Sequence, residues 1–117
     1  MQIFSHLLNN DEKTIAKIQE IGIEYVAMSS ITVMELLQGM SNKTELRKMQ
    51  KAIKQFHIID FTSEVSELSV KLIASYNLSN GLQIPDSIIG ATAIVFDLSL
   101  FTYNIKDFQF MPKIRLY

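Results

Sequence analysis

Three features of the sequence predict an α/β fold around a mostly parallel sheet. Stretches of helical apolar periodicity alternate with short β-branched runs. Only four Gly and two Pro punctuate the chain, so no linker divides it. The apolar fraction, 48%, is that of a chain able to bury a core of its own. With 117 residues, one domain spanning 1–117 is the expectation.

Asp11 and Glu12 open a segment in which Ile15, Ile18 and Ile21 recur at helical spacing until Gly22 stops it. A short strand over 25–28 follows. Ser29 and Ser30 offer caps, and Thr32 and Glu35 have capping-box spacing ahead of Leu36 and Leu37, which predicts a helix over 32–39 ended by Gly39. From 42 to 56, Leu46, Met49, Ile53 and Phe56 share one helical face, and Lys43, Arg47, Lys51 and Lys54 occupy the other. The run 57–60 reads as a buried parallel strand. Thr62 and Ser63 cap a helix with the stripe Val65, Leu68, Leu72 and Tyr76, stopped by Asn80 and Gly81. Pro85 starts the next helix with Asp86 in its first turn, and the stretch 87–96 is apolar nearly all round, so this helix is buried. Strands over 98–102 and, at an edge, 114–116 complete the pattern, and parallel strands joined through helices require right-handed crossovers.

Charge and composition exclude several functions. Eleven Lys and Arg against twelve Asp and Glu give a net charge of −1, so any nucleic-acid contact must come from a local patch. The absence of Cys removes disulfide scaffolds and thiolate zinc sites, and two His are too few for a histidine cage. The start carries no basic leader. The most apolar uncharged run, 87–96, is well short of the roughly 17 residues that span a bilayer. A cytoplasmic protein without membrane contact is expected.

Most acids have ordinary explanations. Asp11, Glu12, Glu20, Glu45, Glu64 and Glu67 fall in first turns or on wet faces, where the helix dipole and solubility account for them. Glu35, Asp86, Asn104 and Asp107 instead fall just past strand ends or at a helix start, where open parallel sheets gather their active sites. Each has a plain alternative: a capping box with Thr32 for Glu35, a dipole partner after Pro85 for Asp86, turn chemistry for Asn104 and Asp107. Carboxylates without His or thiol companions suit hard cations, Mg²⁺ or Mn²⁺, and these in turn suit phosphate substrates. The Lys43, Arg47, Lys51, Lys54 stripe is the best local candidate for RNA phosphates, with a solvated helix face as the alternative.

Three motifs in order resemble one family. The segment SSITVMELLQG at 29–39 resembles the motif after the second strand of PIN-domain ribonucleases, with Glu35 as its acid. IPDSIIGATAI at 84–94 resembles the stretch with the central metal-binding Asp, here Asp86. LFTYNIKDF at 100–108, followed by MPKIRLY, resembles the C-terminal Thr-x-Asn-x-x-Asp-Phe pattern and closing strand. Within the family the likeness is to VapC-type toxins of bacterial toxin–antitoxin pairs.

The resemblance implies a three-layer α/β/α sandwich and a Mg²⁺- or Mn²⁺-dependent endoribonuclease. Asp86, Glu35 and Asn104 are the implied metal ligands, Asp107 adds charge nearby, and Thr102 orients a water or phosphate. An RNA substrate, a VapB-like antitoxin and a homodimer are implied as partners. One departure stands at the front. Family members begin with a strand ending in Asp followed by Thr or Ser, whereas 2–13, QIFSHLLNNDEK, resembles the helix that follows it, with His6 inside that helix. The first strand and first acid are therefore expected to be missing from an N-terminally shortened domain. Weakened or lost activity follows, and the alternative is a non-catalytic module that binds antitoxin or RNA.

Overall fold

Short apolar runs separated by capped helices become a parallel sheet with helical connections. The computed structural model describes the backbone of residues 2–4 and 12–14 and the complete residues 15–117. In chain order these form β1 (Gln2–Phe4), α1 (Glu12–Ile21), β2 (Val26–Ser29), α2 (Ser30–Gln38), α3 (Lys43–Ile53), β3 (His57–Ile59), α4 (Ser63–Asn80), α5 (Ile84–Val95) and β4 (Ser99–Phe101). Short 3₁₀ turns occupy Ile23–Tyr25 and Ile105–Asp107. The sheet order is β3-β2-β1-β4, and every named pair is parallel.

The first strand is present, which corrects the expectation that it is missing. Gln2 and Ile3 pair with Val26 and Ala27 of β2, and Gln2, Ile3 and Phe4 pair with Ser99, Leu100 and Phe101 of β4. A strand of three residues is too short to display the two-residue alternation by which strands are read, and Leu7 and Leu8 behind it suggest a helix instead. The expectations that Asp11 opens α1 and that His6 lies in a helix fall outside the described residues.

A second correction concerns β3. It is parallel as expected, but it forms the edge of the sheet, and His57 and Ile58 are exposed rather than buried. The closing segment 114–116 contributes an isolated bridge, Leu100 to Leu116, in place of a full strand.

Helix ends follow their sequence signals closely. The Asn42 side chain accepts from the Glu45 N–H at 2.9 Å while the Glu45 carboxylate accepts from the Ser41 N–H at 2.9 Å, a reciprocal cap for α3. Thr62 Oγ1 accepts from Val65 N–H at the start of α4, and Gly81, at φ 69°, closes its end in the left-handed region that only Gly enters without strain. The core gathers Val65, Leu72, Leu82, Ile89, Ala91, Ala93, Leu100, Phe108 and Met111. All four residues of β2 are buried, so both of its faces are covered, as a three-layer arrangement requires. Small residues in α5 permit close approach: a Cβ on Gly90 would overlap Met111 Sδ and stand 2.9 Å from its Cε.

Candidate active site

A parallel strand delivers the chain to its carboxyl end, and a helix returning to the next parallel strand must start at that same end. α2 begins directly after β2, and α5 leads back through a tight turn to the amino end of β4. The first two turns of α2, the first turn of α5 and the segment beyond β4 therefore lie toward the carboxyl edge, and they carry Glu35, Asp86, Thr102, Asn104 and Asp107.

Local hydrogen bonding removes the plain explanation for Glu35. The N-cap of α2 is Ser29, whose hydroxyl accepts from Ile31 N–H at 3.3 Å. Thr32 lies inside the helix, 2% exposed, and among the described residues its hydroxyl has no partner, so the expected capping box does not form. Glu35 is exposed and, among the described residues, has no hydrogen-bond or ion-pair partner. Asp86 is half-buried in the first turn of α5 behind Pro85, and no side chain caps that helix. The N-terminal end of the helix dipole favours a negative charge there.

Beyond β4 the turn is closed without the side chains of interest. Asn104 N–H donates to Thr102 Oγ1 at 3.0 Å, and Asp107 N–H donates to the Asn104 carbonyl at 3.0 Å. The Asn104 amide makes no capping bond, and Asn104 and Asp107 are both exposed. Their side chains are thus not consumed by turn formation.

The carboxylates do not form a ready cage. Among the described residues no three of His, Cys, Asp and Glu lie close enough to hold a metal ion, so Glu35, Asp86 and Asp107 do not converge into a three-carboxylate cage. The chain carries no carboxylate before Asp11, and residues 5–11 lie outside the described part.

The basic stripe is far along the sheet. Lys43, Arg47, Lys51 and Lys54 are all exposed on α3, which feeds β3 at the edge opposite β4. Sequence reading passed over Asp60, which follows β3 directly; Ser30 Oγ donates to its Oδ1 at 3.5 Å and to the Ile59 carbonyl at 3.2 Å. An acid immediately after a strand was the available signal. An uncharged groove of about 410 Å³ lies between α4 and α5, lined by Phe61, Val65, Val70, Ile73, Ile84 and Ile88 among others. Among the described residues no helix is long and apolar enough to cross a membrane.

Comparison with known proteins agrees with this geometry. The chain is 26% identical over 114 residues to Ribonuclease VapC19 of Mycobacterium tuberculosis, covering 97% of this chain and 81% of the relative. Its fold superposes on a toxin–antitoxin complex from Klebsiella pneumoniae with a TM-score of 0.76 at 28% identity, covering 97% of this chain and 95% of the other. DNA-bound VapBC from Salmonella typhimurium shares the fold with a TM-score of 0.77 at 19% identity, over 99% and 96% of the two chains. The PIN domain family matches residues 2–112, a span that contains the strand β1, both candidate carboxylates and the turn after β4, and the chain belongs to that family.

Proposed function

We propose that this chain is an endoribonuclease of the VapC toxin kind, hydrolysing RNA phosphodiesters with the help of a divalent ion. The observation that carries this reading is the common placement of Glu35, Asp86 and Asn104 at the carboxyl edge of a PIN-family sheet, with no structural role absorbing Glu35 or the Asn104 amide. The donor set is all oxygen and carries two negative charges, which fits one hard ion, Mg²⁺ or Mn²⁺. Asp86 and Glu35 would hold it, with Asn104 as a neutral third donor. When bound, such an ion supplies Lewis acidity that makes water nucleophilic near neutral pH and offsets charge on the phosphate.

The chain's own groups do the rest. Thr102 Oγ1 accepts from Asn104 N–H and keeps its own proton, so the hydroxyl is free to donate to a phosphate oxygen or an attacking water. The same bond holds Asn104 in place. Asp107 adds negative charge beside the site. A VapB-like antitoxin is the inferred protein partner, since the solved neighbours are toxin–antitoxin complexes. The uncharged groove between α4 and α5 supports burial against protein, which a homodimer would use. A cytoplasmic location accords with these partners.

Cleavage of single-stranded RNA that stops with EDTA and falls roughly a hundredfold or more in Asp86→Asn, with unchanged melting, is the expected result. Cleavage untouched by either would overturn the reading. The short ligand set favours one second reading, a module that binds antitoxin or RNA without cutting. Antitoxin binding by a chain that cleaves no RNA at millimolar Mg²⁺ or Mn²⁺ would select it.

A further inference from the structure

β4 divides its residues between two environments. Leu100 is fully buried in the core, whereas Phe101 and the residue two further on, Tyr103, form an edge-to-face pair with ring centroids 5.2 Å apart and planes at 80°. The chain's last residue joins them. Leu100 N–H donates to the Arg115 carbonyl at 2.8 Å, and Tyr117 N–H donates to the Leu100 carbonyl at 2.9 Å. This brings the Tyr117 ring within 6.0 Å of Phe101. Above the Tyr117 ring stands the Lys17 ammonium, 5.5 Å from its centroid, while Glu20 pairs with the same ammonium at 3.1 Å.

The result is a ledge of three aromatic rings ending in a cation, anchored on backbone ladder bonds. Tyr103 is 45% exposed and Tyr117 52%, so the ledge is open to water. Tyr103 sits in sequence between Thr102 and Asn104, the two residues assigned to the phosphate-handling turn. Leu100 belongs to the core cluster, and Tyr103 does not.

We infer that Tyr103, backed by Phe101 and extended by Tyr117 and Lys17, is a stacking platform for an unpaired base beside the scissile phosphate. This rests on the ribonuclease reading above and adds to it a residue that holds the substrate by its base. Aromatic faces take any base, and a neighbouring cation follows the phosphate chain, the combination by which single strands are held without a base-edge code. Bases paired in a duplex keep their faces covered by their neighbours and cannot use the ledge. Tyr103 therefore touches substrate without taking part in the bond changes.

The test measures binding of a fluorescein-labelled 12-nucleotide RNA by fluorescence polarisation in EDTA, where no cleavage interferes, next to a cleavage assay with Mg²⁺ or Mn²⁺. Tyr103→Phe keeps the affinity of the parent chain, and Tyr103→Leu weakens it by about 5- to 100-fold, the range of one base stack. The parent chain also binds the single strand more tightly than the same sequence as a duplex. An RNA carrying one abasic position at the cleavage site loses affinity for the parent chain but not for Tyr103→Leu. That arm reads the contact without any variant, should Tyr103→Leu melt early. Tight binding by a folded Tyr103→Leu, an indifferent abasic probe, or equal affinity for duplex overturns the platform while cleavage by the parent chain leaves the nuclease reading standing. A parent chain that neither binds nor cleaves the single strand overturns both.

Discussion

In the layer formed by α4 and α5, buried hydroxyls close on nearby carbonyls of their own helix. Ser69 donates to Val65 O, Ser87 to Ile84 O and Thr92 to Ile88 O, each at 2.7 Å. At the start of α2 the Thr32 hydroxyl is as deeply buried and, among the described residues, meets no acceptor. The same contrast runs through the other polar groups. The α4–α5 groove lining has no ionisable side chain, whereas the carboxyl edge leaves Glu35, Asn104 and Asp107 in water. One region satisfies its polar groups internally and carries stability; the other leaves polar groups available and carries the candidate chemistry. Folded chains normally satisfy buried polar groups, so departures concentrate where function overrides packing.

Substitutions can break this contrast from either side. Gly90→Ala attacks the stable region and has the largest expected effect on folding. Its methyl would displace Met111, itself buried against Phe108, and overpacking of this kind costs about 1–3 kcal/mol. Thermal melting should fall by several degrees while cleavage per folded molecule holds; an unchanged melt would mean that Met111 can withdraw. Glu35→Gln attacks the other region. With no partner to lose, it should leave melting unchanged and lower both Mg²⁺ affinity, by calorimetry, and RNA cleavage, by roughly tenfold or about 1.4 kcal/mol. A change in melting alone would assign Glu35 to the fold.

Thr32→Val sharpens the comparison further. Removing an unpartnered buried hydroxyl with little change of shape should stabilise the chain by about 1 kcal/mol in a urea titration. Lower stability would reveal a partner for that hydroxyl. The smallest effect is expected on α3, where Lys51→Glu with Lys54→Glu changes a solvated face far from β4. RNA affinity should fall less than about threefold, and a larger loss with a flatter salt dependence would extend the RNA track across the sheet.

The elements legible in the sequence are those whose signals are local and repeated. α4 has a cap at Thr62, a stripe from Val65 to Tyr76 and a left-handed stop at Gly81, and each appears where the spacing puts it. β1 has three residues and no repeat, and its stability comes entirely from two neighbours distant in sequence. Nothing nearby in the chain could announce it. The exposure of β3 was hidden for a related reason, because an apolar run looks the same at the edge of a sheet as at its centre. At the candidate site, Glu35, Asp86 and Asn104 were legible as residue types at strand ends. Ser29 was legible too, as one of the caps on offer; that it closes α2 and no Thr32–Glu35 box forms was decided by the backbone, since nearby hydroxyls compete for one cap. The ledge at Tyr103 escaped for the same reason as β1, because Tyr117 and Lys17 reach it only through tertiary contacts.

The position of β1 has a bearing on how the protein is made. It lies in the middle of the sheet, yet it pairs with a strand at residues 99–101, so the first-synthesised strand waits for the last. Contacts so distant in sequence close late and slowly. A ribosome-bound chain cut short before β4 lacks one flank of its central strand and the turn bearing Thr102 and Asn104. A chain must extend past β4 before it can assemble the edge on which the proposed nuclease depends.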